Sequence, residues 1–308
     1  MQRHNSFRPQ IESLEQRKVL AGNVMADLAS GFLLLEGDAA ANELRVLQNG
    51  TTIRVVGDNG TTINGMPSVT YQNVALEKFE AKLEGGDDRI TLVGLNAADD
   101  VNVEAGAGND FVNIRNTTSG NNLSVKGELG DDRFVGTGLM IAGEASIDMD
   151  QGAADVLFAN STVGANLSVI SKDANDALRV RDSSIGGDLA IESGNGNDQV
   201  LIDRAIIGLS ASVASDGGTD LVRLSSVQTG EDVSIVTGTG NDRAILTDVA
   251  AGKSLTVNTD DGSDFVAVTG VSAAVDAVFI GGFGFDTFDD NGVSGGEKLE
   301  LVEFERFV

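Results

Sequence analysis

From residue 101 onward, apolar side chains recur along two tracks. One runs Val101, Leu123, Ala145, Leu167, Leu189, Ala211, Val233, Leu255, Ala277. The other, two residues later, runs Val103, Val125, Ile147, Val169, Ile191, Val213, Ile235, Val257, Phe279. Every step in both is 22 residues, and apolar side chains at alternate positions carry the strand period of two. A second short alternating segment follows in each unit, as in Phe111-Val112-Asn113-Ile114 and Gln199-Val200-Leu201-Ile202. A turn containing Gly120, Gly164, Gly186, Gly208, Gly230 or Gly252 then closes the unit. Two such strands are too short to bury their own inner faces, so they need neighbours stacked above and below. The pattern predicts an all-β fold: a single-stranded parallel β-helix (solenoid) of about ten 22-residue coils, right-handed by the crossover rule.

Between the strands of each unit lies an aspartate: Asp88, Asp110, Asp132, Asp155, Asp176, Asp198, Asp220, Asp242, Asp264 and Asp286. Asp155 arrives one residue late while the apolar tracks keep step, which predicts an extra residue in the loop 148–155. The ends break the pattern, as capping repeats do. Residues 43–56 read as a hairpin turning at Asn49-Gly50, and Leu299 and Leu301 among charges read as a protective last strand. The divisions expected are an arm at 1–27 with a short helix after Pro9, an N-terminal β cap at 28–80, coils at 81–290, and a C-terminal capping strand at 291–308. A continuous repeat overrides the length prior of about two domains.

Composition adds three constraints. The 41% hydrophobic content includes no Trp and one Tyr, which suits a narrow interior of small branched side chains. A net charge of −26 argues against nucleic acid and anionic lipid as partners and makes cations the natural counterpart. With no cysteine, neither disulfides nor thiolate metal sites form. No run of 18 apolar residues is present to span a bilayer as a helix.

The turn before the aspartate has a form of its own. Gly106-Ala-Gly-Asn-Asp110, Gly194-Asn-Gly-Asn-Asp198, Gly238-Thr-Gly-Asn-Asp242 and Gly282-Phe-Gly-Phe-Asp286 all read G-x-G-x-D, with variants ending at Asp88, Asp132, Asp220 and Asp264. Here the chain resembles the hemolysin-type calcium-binding (RTX) repeats, in a degenerate form. That resemblance covers residues 84–286 and implies Ca²⁺ held between stacked turns. The metal-ligating residues it implies are Asp88, Asp110, Asp132, Asp198, Asp220, Asp242, Asp264 and Asp286. Asp155 and Asp176 are left out, because each lacks a glycine two residues back. The family's nine-residue repeat has loops on both sides of the helix, whereas this motif occurs once per 22 residues. Asp, Asn and Gly also suit any tight solvated turn, so a calcium edge and a plain turn stand side by side. The segment from Ile11 to Ala21 is similar to the N-terminal arm of planctomycete exported surface proteins, which implies an extracellular or cell-surface location.

Catalytic chemistry finds little to work with. The single histidine, His4, lies in the arm, so no Ser-His-Asp arrangement forms. Carboxylates abound, but each coil offers the same ones and none stands beside an aromatic platform for a sugar. Arg179, Arg181, Arg204 and Arg223 form the only near-cluster of cations; they read as scattered over alternating faces and paired with Asp182 and Asp203. The expected function is non-enzymatic: a secreted or surface repeat protein, structural or adhesive, with calcium, an extracellular glycan or another surface protein as partner. The alternative is a pectate-lyase-like β-helix acting on acidic polysaccharide, by analogy of fold alone.

Overall fold

The computed structural model describes residues 22–308 except position 297. The expected arm lies almost wholly outside the described residues, as do the helix after Pro9 and His4. The first strand, Asn23–Ala29, already belongs to the cap.

Among the described residues every regular element is a β-strand, and most belong to one 14-stranded and one 18-stranded sheet. Successive coils pair in parallel with no slip: Val101 lies beside Leu123, Leu123 beside Ala145, and so on to Ala277. Both apolar tracks are buried along their whole length. They face Ile90, Val112, Phe134, Val156, Leu178, Val200, Val222, Ala244 and Val266 of the opposite sheet, all buried in the same core. Each coil buries its inner face only because the next coil covers it, at a spacing of about 4.8 Å.

The coil has a corner that the apolar pattern conceals. After the second strand, one residue per coil takes a left-handed backbone conformation: Gly94, Asn116, Gly138, Asn160, Asp182, Arg204, Ser226, Asp248, Gly270 and Gly292. The chain then resumes pairing, either as a separate two-residue strand such as Thr118–Ser119 or within a nine-residue strand such as Gln199–Ile207. Only four of these positions are glycine, which is why no glycine pattern marks the bend.

The register corrects the reading of Asp155. Ala154 stands beside Asp132, whereas Asp155 stands beside Arg133 and Ala177. Gly130 and Gly152 occupy equivalent places in the turn, since the Cβ site of Gly152 meets the Gly130 carbonyl. The loop 148–155 therefore contains no inserted residue. An alanine has replaced the aspartate of that coil, and the next residue merely happens to be aspartate.

At the N-terminal end, strands Glu43–Asn49 and Thr52–Gly57 form the expected hairpin. Asn49 pairs with Thr52, so the loop is Gly50-Thr51 and only Gly50 has positive φ, one residue later than an Asn-Gly type I′ turn. Strand Lys298–Val302 covers Asp276–Ile280 at the other end. No helix of the described residues is long and apolar enough to cross a membrane.

One turn glycine is required by close approach. A Cβ on Gly218, whose φ is +147°, would lie 1.4 Å from the carbonyl oxygen of Gly196 in the coil before. A Cβ on Gly217 would meet nothing nearer than side-chain oxygens at 3.2 Å. Gly218→Ala is therefore expected to lower the melting temperature by an amount equivalent to more than about 1 kcal/mol, and Gly217→Ala by far less. Equal melting curves for the two variants would contradict this packing.

Candidate functional site

The glycine-rich turn delivers one aspartate per coil to a position just before the second strand, with its side chain turned inward. Asp88, Asp110, Asp132, Asp176, Asp198, Asp220, Asp242, Asp264 and Asp286 share this position, and none is more than 4% exposed. The eight residues singled out as metal-ligating thus stand in one column, and Asp176 belongs with them. The expected gap narrows to one coil, where Ala154 interrupts the column. The acidic edge facing water is formed by neighbours such as Asp87, Asp131, Asp173, Asp216 and Asp260, which are exposed.

Each column carboxylate does one repeated job. Its Oδ1 accepts the backbone N–H of the equivalent residue one coil earlier: Asp88 N–H to Asp110 at 2.7 Å, Asp110 to Asp132 at 2.9 Å, and Asp198 to Asp220 at 2.8 Å. The same bond runs on through Asp242, Asp264 and Asp286. Asn42 N–H starts the column on Asp88, and Glu305 Oε2 closes it by accepting from Asp286. Where the column is broken, Asp132 N–H turns to the Ala153 carbonyl at 3.0 Å. At this corner the carboxylate replaces a strand carbonyl.

A second ladder of opposite sense lies one residue earlier, on the outside. Asn109 N–H donates to Asp87 Oδ1, Asp131 to Asn109, and Ala153 to Asp131, each near 2.9 Å. A third ladder follows the other turn, where Glu144 N–H donates to Asn122 and Ser210 N–H to Asp188. The sequence reading passed over both, although Asp or Asn does recur at 22-residue steps, as at 87, 109 and 131.

The other carboxylate oxygen is unusual. Oδ2 of all nine column aspartates is buried without a hydrogen-bond partner among the described residues. Five residues before each aspartate lies the residue that faces it. In the later coils this is a hydroxyl: Ser171, Ser193, Ser215, Thr237 and Thr259. Ser215 spends its one proton on the Thr237 carbonyl at 3.2 Å, and Thr237 on Thr259 at 3.3 Å. Their oxygens can then accept from a protonated Oδ2. In the coil carrying Ala154, the equivalent residue is Met149, which is 2% exposed. The larger side chain stands where the carboxyl is missing, so the layer stays filled.

Burial sets the electrostatics. Desolvation pushes Asp88 up to about 8, Asp132 and Asp264 to about 7, and Asp110, Asp176 and Asp220 to about 6. Asp198, Asp242 and Asp286 are raised for the same reason. The N–H bond from the preceding coil opposes the shift, while neighbouring carboxylates such as Asp110 beside Asp88 add to it. Burial thus favours the protonated form along the column.

Arg181 and Arg204 pair with Asp182 and Asp203 as expected, but the arginines are not scattered over alternating faces. Arg179, Arg181 and Arg223 point outward from one face of the 18-stranded sheet, while Arg204 sits on the left-handed corner. Arg204 pairs with Asp182 and Asp203 at 2.5 Å, Arg179 with Asp155 at 2.6 Å, and Arg181 more loosely with Asp203 at 3.7 Å. The lone tyrosine, Tyr71, donates its hydroxyl to the Ala26 carbonyl in the cap.

Among the described residues no three acidic or histidine side chains converge as a metal-binding group. Compared with known proteins, the chain matches no family model and shows no significant similarity to any curated protein or solved structure.

Two predictions follow from the column. Carboxyls with raised folded-state values bind more protons in the folded chain than in the unfolded one. Their contribution to stability is full below the ordinary carboxylate range and is lost as pH rises through about 6 to 8. The melting temperature is expected to be higher at pH 5 than at pH 8, and a flat or reversed profile would refute the assignment. Ala154→Asp alone should destabilise by crowding Met149, whereas adding Met149→Ser should recover the loss. A double-mutant cycle is expected to give a coupling above about 0.5 kcal/mol; additive effects would show that the two sites do not communicate.

Proposed function

We propose that this chain is a non-enzymatic structural rod of the extracellular or cell-surface kind, whose regular faces serve adhesion. The observation that supports this best is the allocation of its most distinctive side chains. Nine inward carboxylates, which in an enzyme would converge on one substrate, are instead spread evenly along the stack and bonded to the backbone. Among the described residues the coils keep one length and carry no long unequal loops that would wall a catalytic cleft. Location rests on the resemblance of the N-terminal segment to exported surface proteins. Incubation with polygalacturonate and Ca²⁺ is expected to yield no unsaturated products; their appearance would favour the lyase-like alternative.

A second reading, in which calcium occupies the acidic turns, is favoured by the unpartnered Oδ2 atoms. Calcium takes six to eight oxygens at about 2.3–2.6 Å. Against that need stand the commitment of each Oδ1 to a backbone N–H and the engagement of turn carbonyls such as those of Gln151 and Gly217 by the neighbouring coil. The structural reading therefore leads. Melting at pH 8, where the column is most ionised, separates the two. A seam without metal gives the same midpoint in millimolar Ca²⁺ and in chelator, whereas a calcium edge gives a midpoint that rises with Ca²⁺.

A further inference from the structure

On a chain of net charge −26, one surface is basic. The outward positions of the 18-stranded sheet carry arginine and no lysine across the coils from 89 to 269. Their middle row alternates in character. Leu157 lies beside Arg179, Arg179 beside Leu201, Leu201 beside Arg223, and Arg223 beside Ile245. Arg179 and Arg223 are thus two coils apart, about 9.6 Å, with a leucine between them. Arg181 flanks the row, and the three arginines border a cleft of about 360 Å³ whose lining includes Leu201, Asp203 and Ser225. Arg223 makes no ion pair among the described residues, and Arg179 binds Asp155 through only one of its nitrogens.

We infer that this cleft binds an acidic sugar residue, a uronate, presented on an extracellular polysaccharide. This rests on the adhesive part of the function proposed above. A guanidinium presents a planar fork of donors that matches a carboxylate in two parallel bonds, which a lysine cannot do. Leu201 offers the apolar face of a pyranose ring a flat contact. The Asp203 carboxylate and the Ser225 hydroxyl stand at the rim, where ring hydroxyls need an acceptor and a donor. An apolar floor with a few convergent polar groups is the usual make-up of a small-ligand site. A nucleic acid or an anionic membrane would need a broad basic field, whereas this basic face is a narrow strip on a chain of net charge −26.

Calorimetric titration of the full chain with oligogalacturonate, galacturonate monomer, dextran sulfate and neutral dextran tests the inference. Saturable binding of oligogalacturonate is expected, with the monomer weaker and neutral dextran inert. The monomer binding as tightly as the oligomer would overturn presentation on a polymer. Arg179→Ala with Arg223→Ala should weaken oligogalacturonate binding at least tenfold, and Arg179→Lys with Arg223→Lys should weaken it less. Lys126→Ala, on the opposite sheet, should leave affinity unchanged. Absence of saturable binding to oligogalacturonate overturns the inference, as does tighter binding of dextran sulfate or equal affinity of the double alanine variant. Equal weakening by Lys126→Ala overturns it too, since that shows diffuse charge attraction. A negative titration by a chain that still melts cooperatively and still fails to cleave polygalacturonate removes this ligand while leaving the structural rod in place.

Discussion

The bond on which this fold depends is the one from a backbone N–H to the side chain of an aspartate one coil further on. In a parallel stack, strand pairing satisfies the main chain only while the strand lasts. Each coil must also turn, and at the turn the N–H loses its carbonyl partner. A buried N–H left unpaired costs roughly 1–3 kcal/mol, a cost that Asp132 N–H, facing the coil without the aspartate, avoids by turning to the Ala153 carbonyl at 3.0 Å. The aspartate supplies the missing acceptor from within the same column, as Asp220 does for Asp198. Asp or Asn on the outer side of the turn does the same for the preceding residue, in the opposite direction. Adjacent amides are thus tied to the coils on either side, which fixes the stacking register by hydrogen bonding as well as by the pleat.

The arrangement has an electrostatic consequence. A backbone donor needs only one carboxylate oxygen, so the other is left facing the core. Where the interior offers a hydroxyl, a proton on that oxygen completes the set. Where it offers glycine or alanine, as at Gly127 and Ala105 before Asp132 and Asp110, no such acceptor is at hand. One coil dispenses with the carboxyl and fills the space with Met149. The same slot therefore tolerates either a carboxyl–hydroxyl pair or an apolar one, consistent with a requirement for filled volume.

Much of this was legible from sequence spacing. Two tracks at constant interval gave the stacked coil, the parallel pairing and the core, because a one-residue slip would turn every apolar side chain outward. The aspartates were legible as a set, but their orientation was not. An Asp in a glycine-rich turn looks like a solvated turn residue or a metal ligand, and only the register shows the side chain turned inward. Asp155 misled for a related reason: identity was read where position mattered, and Ala154 is the true member of its row. The left-handed corner went unseen because Asn160, Asp182 and Arg204 do there what glycine does elsewhere. Arg179, Arg181 and Arg223 share a face by strand alternation and the 22-residue step, and only Arg204 needed that corner to place it.

The most direct test compares two substitutions at Asp220. Asn keeps an oxygen for the Asp198 N–H and places an amide donor where Oδ2 faces Ser215, whereas Ala removes both. Thermal melts at neutral pH should show Asp220→Asn close to the unmodified chain and Asp220→Ala lower by an amount equivalent to about 1–3 kcal/mol. If both variants fell equally, the charge of the carboxylate and not its hydrogen bond would be holding the coils together, and the account of the column would be wrong.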